Sequence, residues 1–327
     1  MELNVLLVLI LSVLNINIES FQSYSFTTLR SITSWRLKRN ICIKISNDDC
    51  LKYELVAKMA CKLAGKQIVK GSGSINLSTD VESKIGSRDI VTQTDLISQN
   101  IIKSTITSFF PTHTFLGEED ILPGREAASQ ALSEVMTHEN LWIIDPVDGT
   151  TNFAHGMSLC GIILAYVSKG EVLFGCIYDP FLDEMFSAWK GKGAYLNDNP
   201  IRCCETSQLK SSVVCTGSPP NIKSLEACLR ATNLISSEVR TMRMLGSASI
   251  MLSWLACGRV TAYFEADMNA WDTAAGALLV KEAGGNVTDV WGKSFLLNTR
   301  NIVASNGIIH DSLLERLQKA KMWMKDE

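Results

Sequence analysis

Hydrophobic and polar positions follow three different rhythms along this chain, and each change of rhythm marks a change of element. Leu51, Leu55, Met59 and Leu63 recur every fourth residue within 48–70, which is the spacing of one face of an α-helix. The polar, Gly- and Ser-containing stretch 71–80 reads as a loop. A second helix is expected to start at the Thr92/Asp95 pair and to run to about Phe110, where Pro111 stops it. Residues 113–116 read as a short strand ending in Gly117-Glu118-Glu119-Asp120, and 121–140 as a polar segment with no assigned element. Trp142-Ile143-Ile144 is a continuous apolar run, as in a buried strand. Four further apolar segments, 159–167, 172–178, 184–189 and 194–196, are separated by Lys169-Gly170, Asp179-Pro180, Gly191-Lys192-Gly193 and Asn197-Asp198-Asn199, which predicts an antiparallel meander. Beyond Lys210 strands and helices alternate: 212–216, 225–234, 246–258, 260–265, a compact helix 271–283 closed by Gly284-Gly285, strands 287–290 and 302–305, and a last helix 309–324.

This pattern divides the chain into a leader (1–46), an α+β half (47–205) and an α/β half (206–327). The leader stands apart because 5–14 is an apolar run of signal-peptide length. After it, 21–46 lacks acids but holds Arg30, Arg36, Lys38, Arg39 and Lys44 among many Ser and Thr, a transit-like composition. The pair resembles the bipartite leaders of algae with secondary plastids, so an organellar destination is expected, with the secretory pathway as the alternative. No apolar run reaches the roughly 18 residues of a spanning helix, so no membrane association is expected once the leader is removed. A net charge of −3 with 20% charged residues gives no nucleic-acid footprint. The ten cysteines form no Cys-x-x-Cys pair and read mainly as small buried hydrophobes.

Candidate chemistry gathers where the central apolar run meets Asp145-Pro146-Val147-Asp148-Gly149-Thr150-Thr151-Asn152-Phe153. Pro146 holds Asp145 extended and stops the strand, while Gly149 permits a tight turn into a helix opened by Thr150 or Thr151. Two carboxylates and several backbone N–H groups then share one strand tip. Carboxylates suit a hard cation such as Mg²⁺, and helix-opening N–H groups suit a phosphate. Asp-Pro and Asp-Gly are also ordinary turn dipeptides, so this stretch alone decides nothing. Further acids sit at expected element tips: Asp95, Glu118 and Asp272. Each has a plain alternative, as a helix-start acid or a solvated turn acid. No P-loop, Gly-x-Ser-x-Gly or His-Glu-x-x-His motif is present.

Taken together, Asp89-Ile90-Val91-Thr92-Gln93-Thr94-Asp95, Gly117-Glu118-Glu119, the central motif and Trp271-Asp272-Thr273-Ala274-Ala275-Gly276 with Ala283-Gly284-Gly285 resemble, in order and spacing, the signature motifs of the inositol monophosphatase family. The resemblance runs from about Asp49 to Lys319. It implies a layered α-β-α-β-α sandwich that hydrolyses phosphomonoesters with Mg²⁺, often inhibited by Li⁺. It also implies metal binding by Glu118, Asp145, Asp148, Asp272 and the Val147 carbonyl, with Asp95 in an outer acidic cluster holding a further Mg²⁺ through water. Gly149 and Thr150 would offer N–H groups to phosphate, and Glu118 and Thr150 would orient the attacking water. Ser218, Gly246, Ala248 and Glu265 match positions that touch the sugar or polyol. Lys84 either adds positive charge beside the site or is a solvated loop lysine. Ser158 and Ile163 depart from the Pro and Ser common in the family, and 121–140 is longer than in compact members. The expected substrate is a small phosphorylated polyol or alcohol, first of all inositol monophosphate, and a homodimer is expected. Histidinol phosphate is the alternative substrate, and fructose 1,6-bisphosphate and phosphoadenosine are set lower for want of extra chain length. A non-catalytic metal- or phosphate-binding protein is the reading from another class.

Overall fold

Strand β4 (Leu141–Asp148) shows how one apolar run organises the molecule. Its alternate residues serve opposite faces of a sheet, as the two-residue period of a strand requires. Trp142 and Ile144 join the buried cluster of Val56, Ala57, Ile102 and Ile106 from helices α1 (Asn47–Gly71) and α2 (Gln93–Phe109). Leu141 and Ile143 join Met251, Leu252, Ala274 and Ala275 on the other side. With both faces covered, the strand carries no polar alternation. The computed structural model of the chain describes residues 47–75, 79–84 and 88–322. The expected leader lies outside these.

The sheet built on β4 has seven strands in the order β3-β4-β5-β6-β7-β8-β9. They are β3 (Thr114–Gly117), β5 (Gly161–Ser168), β6 (Glu171–Asp179), β7 (Glu184–Trp189), β8 (Ala194–Leu196) and β9 (Asn199–Ile201) around β4. Only β3 and β4 are parallel; the run from β4 to β9 is antiparallel throughout, with the expected meander at β5 to β8. A second sheet has the order β11-β10-β12-β14-β13, from β10 (Val213–Thr216), β11 (Thr241–Arg243), β12 (Ala262–Glu265), β13 (Asn286–Asp289) and β14 (Ile302–Ser305). Helices α6 (Ala248–Ala256) and α7 (Ala270–Glu282) lie between the sheets, sharing one core with Ile163 and Phe186 of the first and Cys215, Tyr263 and Ala304 of the second. Helices α5 (Ile222–Ile235) and α8 (His310–Lys319) cover the outer face, where Cys228, Ala231, Leu313 and Leu317 meet Val214, Phe264 and Val303. The result is the expected α-β-α-β-α sandwich. The middle layer is very tight: a Cβ on Gly175 of β6 would stand 2.8 Å from Ala275 Cα of α7.

Several local expectations change. The segment 121–140 carries helix α3 (Arg125–Val135), whose Ala128 and Leu132 are buried against the inter-sheet core. A short hairpin, β1 (Val81–Ser83) with β2 (Ile90–Thr92), precedes α2, and β9 and β11 are further strands not foreseen. The last helix ends at Lys319 rather than at 324. Lys321 takes a left-handed φ of 53°, and the Met322 N–H closes on the Leu317 carbonyl.

Candidate active site

The carboxyl end of β4 is irregular where the chemistry was expected. Asp145 pairs with Ile163 and Asp148 with Gly161, so three residue steps oppose two and the Asp-Pro-Val-Asp segment bulges. The bulge turns Asp145 inward, where its carboxylate accepts from the Val147 N–H at 3.1 Å and is 2% exposed. Gly149 follows with φ of 93°, and any Cβ there would meet the Leu159 carbonyl at 2.9 Å and the Gly246 carbonyl at 3.2 Å. Helix α4 (Thr150–Ala154) starts at once. Thr150 Oγ1 donates within reach of the Val147 carbonyl (3.0 Å) and of Asp95 (3.1 Å).

Three of the five acids are set by helix starts. Asp95 is the third residue of α2, and its Oδ2 accepts the Thr92 N–H at 3.0 Å in the expected capping box. Asp272 holds the same place in α7 and accepts from the Asn269 N–H at 2.6 Å. Asp148 is received by a helix from far along the chain. It accepts from Ser247 Oγ and from the Ser249 and Ala248 N–H groups (2.7 and 3.2 Å) at the start of α6. Glu118 opens a 3-10 turn, Glu118–Asp120, directly after β3. Lys84, from the end of the β1 arm, is not a solvated lysine: its Nζ donates to Glu118 at 2.8 Å and Glu119 at 3.0 Å.

Negative charge exceeds positive charge here. Burial first, then repulsion from Glu118, Asp148 and Asp272, drives the Asp145 carboxyl well above its ordinary range against the opposing pull of Lys84. Asp272 is driven up likewise, by burial and then by Glu118. Burial raises Asp95 to about 6. Glu119 reaches about 7 through burial and the Glu118 charge. Burial would lower Lys84, but Glu118 and Glu119 together hold it above its usual value.

The residues matched to a polyol lie beside this cluster. Glu265, 7% exposed at the end of β12, accepts from Tyr263 Oη at 2.6 Å, and burial lifts it to about 7. A Cβ on Gly217 would fall 1.7 Å from its Oε2, so any larger residue there would have to displace the Glu265 carboxyl. Ser218 comes next and accepts from Arg88 Nη2 at 2.9 Å. Gly246 (φ 73°) and Ala248 adjoin Gly149 and Asp148 through the contacts given above. Asn152 ties the turn together, donating to the Leu159 and Leu245 carbonyls at 2.7 Å each. Sequence reasoning missed Ser247, Ser249, Asn152, Glu119, Tyr263 and Arg88. Ser247 was legible as an N-cap, but not its partner 99 residues upstream.

Among the described residues no group of three or more His, Cys, Asp or Glu side chains stands at ready metal-ligand spacing. The donor set nevertheless fits a hard divalent cation. It is all oxygen, with Asp145 buried and Glu118, Asp148 and Asp272 half-buried, and its like charges repel with one lysine among them.

The sequence profile described as the inositol monophosphatase family matches residues 52–322. "Inositol monophosphatase 1" of Solanum lycopersicum is 38% identical over 268 residues, covering 80% of this chain and 93% of that protein. "Fructose-1,6-bisphosphatase/inositol-1-monophosphatase" of Thermotoga maritima is 38% identical over 236 residues, covering 72% and 85%. Among solved structures, an IMPase of Thermotoga maritima superposes with a TM-score of 0.72 at 34% identity, covering 84% of this chain and 98% of that one.

Proposed function

The chain belongs to the inositol monophosphatase family, and from that premise we propose that it hydrolyses inositol monophosphate to inositol and phosphate with Mg²⁺ as cofactor. The observation that carries this reading is the buried, mutually repelling acid cluster at the tip of β4, onto which the starts of α2, α6 and α7 converge. Glu118, Asp145, Asp148, Asp272 and the Val147 carbonyl would hold metal, and Asp95 would hold a further ion through water. When bound, the metal supplies charge neutralisation for the phosphate dianion and a lowered pKa for water. Gly149 and Thr150 present backbone N–H groups to the phosphate, with the left-handed turn at Gly149 aiming them. Glu118 and Thr150 orient the attacking water. The Thr150 hydroxyl is itself steered by Asp95 and the Val147 carbonyl. Glu265, poised near neutrality and held by Tyr263, accepts a polyol hydroxyl, with Ser218, Gly246 and Ala248 around it. We propose further that the protein works as a homodimer and reaches an organelle through its leader.

A phosphate-release screen with Mg²⁺ over inositol monophosphate, histidinol phosphate, fructose 1,6-bisphosphate and phosphoadenosine tests the substrate. Inositol monophosphate should be cleaved with the highest kcat/KM; preference for histidinol phosphate would replace this reading with its alternative. Chain length does not exclude the bisphosphate, since the Thermotoga relative is named for both activities and this chain covers 85% of it.

A further inference from the structure

The chain leaves Glu265 at the end of β12 and reaches Asp272 in the first turn of α7 seven residues later. The turn between them therefore sets where Asp272 stands. Its backbone is unusual: Asp267 takes a left-handed φ of 64°, which a residue with a Cβ keeps when its surroundings hold it. The hold comes from the neighbouring strand. β12 pairs with β14 antiparallel as far as Glu265 against Ile302, and Arg300 stands two residues before that last pair.

Arg300 grips three consecutive residues of the turn. Its carbonyl accepts the Met268 N–H at 2.8 Å. Its Nη2 and Nε donate to one Asp267 carboxylate oxygen at 2.5 and 3.0 Å, and Nη2 also reaches the Asp267 carbonyl at 3.2 Å. Its Nη1 donates to Asn269 Oδ1 at 2.7 Å. Asn269 then gives its own N–H to Asp272 Oδ2 at 2.6 Å. The other Asp267 oxygen accepts from Ser224 Oγ at 3.2 Å, so the carboxylate is itself fixed. This is not an exposed pair of small consequence, since the Arg300 and Asp267 side chains are 15% and 11% exposed. A guanidinium spreads its donors over several acceptors in a fixed geometry, which an ammonium cannot do. An ion pair to Asp267 alone would hold the turn; the further bond to Asn269 passes the constraint to the residue whose N–H meets Asp272.

We propose that Arg300 is a positioning residue for the acid cluster. By holding 267–269 it aims the Asp272 carboxylate, so metal affinity depends on a side chain that offers no ligand atom. The proposal rests on Asp272 being a metal ligand, as read above, and concerns how that carboxylate is held. Calorimetric titration with Mg²⁺ alone, without substrate, measures it. Arg300→Gln should weaken Mg²⁺ binding about tenfold, and Arg300→Lys should recover part of the loss. Asp267→Asn retains a residue type that tolerates the left-handed turn and removes the charge, so it should show a smaller loss in the same direction. In an Asp272→Asn background Arg300→Gln should change the residual affinity less than twofold, because both act through one carboxylate; a merely structural role would add its full effect. Hydrogen exchange in chelator reads the same cap without metal. Arg300→Gln should speed exchange of the Asn269 amide about tenfold or more, while the Ala283 amide, bonded to the Leu279 carbonyl at the far end of α7, keeps its rate. A parent chain that binds no Mg²⁺ would strike at the proposed function, whereas the exchange comparison still decides on Arg300. Parent-like Mg²⁺ affinity or parent-like Asn269 exchange in folded Arg300→Gln, or in Asp267→Asn should the first variant not fold, overturns the proposal.

Discussion

Asp145→Asn separates a catalytic carboxylate from a turn residue more cleanly than any other single change. Asparagine keeps the volume of Asp145 and can still accept the Val147 N–H, so the bulge at the end of β4 is retained. What disappears is one buried negative charge among Glu118, Asp148 and Asp272. The scale of that charge's cost is visible at Asp95, whose rise from an ordinary 3.8 to about 6 corresponds to ~3 kcal/mol of metal-free instability near pH 7. Relief of the burial and repulsion at position 145 should raise the melting temperature of the chelator-treated protein by several degrees. The sign follows from proton linkage. These carboxyls titrate higher in the folded than in the unfolded state, so the native protein binds the extra protons as pH falls. Metal-free stability therefore decreases as pH rises from about 4 through the folded values, and Asp145→Asn should flatten that slope. With Mg²⁺ the effect on turnover is opposite. Loss of a direct ligand removes several kcal/mol of transition-state stabilisation, so kcat should drop about a thousandfold or more. Phosphate release at saturating Mg²⁺, together with melting curves in chelator from pH 4 to 8, reads both. Parent-like turnover in the folded variant refutes the mechanism, and an unchanged pH slope refutes the electrostatic account.

Three further outcomes follow from the same site. Glu118→Gln removes one of the two carboxylates on Lys84 but leaves Glu119; it should lower kcat about a hundredfold with KM within a few-fold of the parent, as steady-state kinetics will read. Excess chelator should abolish activity, Mg²⁺ should restore it and Ca²⁺ should inhibit, because an all-oxygen site binds the larger ion with looser geometry; full activity in chelator would refute metal dependence. Residues 1–46 fused to a fluorescent reporter should give an organellar signal in an algal cell, and diffuse cytosolic fluorescence would count against import.

Legibility in the sequence followed the range of the contacts. The meander of β5 to β8 was readable because its apolar stretches and turn pairs are local signals, and the Thr92/Asp95 capping box because both partners lie within one helical turn. Helix α3 was not read, since a stripe as thin as Ala128 and Leu132 in a polar segment becomes apolar only against the inter-sheet core. Strand β11 is three residues long and exists by pairing with β10, which no local period announces. The clasp of Asp148 by Ser247 and Ser249 joins residues about a hundred positions apart, and Arg88 to Ser218 spans 130. Such pairs are set by how the sheets stack, not by their neighbours in the chain.

At two of the acids the plain local reading holds, and it is compatible with the role proposed for them. Asp95 and Asp272 are helix-start acids, each spending one oxygen on the backbone of its cap. That bond is what makes them usable in a site: it fixes the carboxylate's rotamer and leaves the second oxygen to face inward. For Asp95 the second oxygen already meets Thr150 of the phosphate turn. Asp148 gains the same orientation from the start of α6, so three helix dipoles point their positive ends at one cluster of negative charge. These dipoles and Lys84 offset the repulsion only partly, as the raised Asp145 and Asp272 carboxyls record. A fold that pins these acids while leaving them under-neutralised is destabilised by them when metal-free, and on the proposed reading a divalent cation entering the cluster would stabilise it. On that reading ligand binding and stability would be one equilibrium, and substitutions that strengthen the metal-free protein are the ones expected to weaken the enzyme.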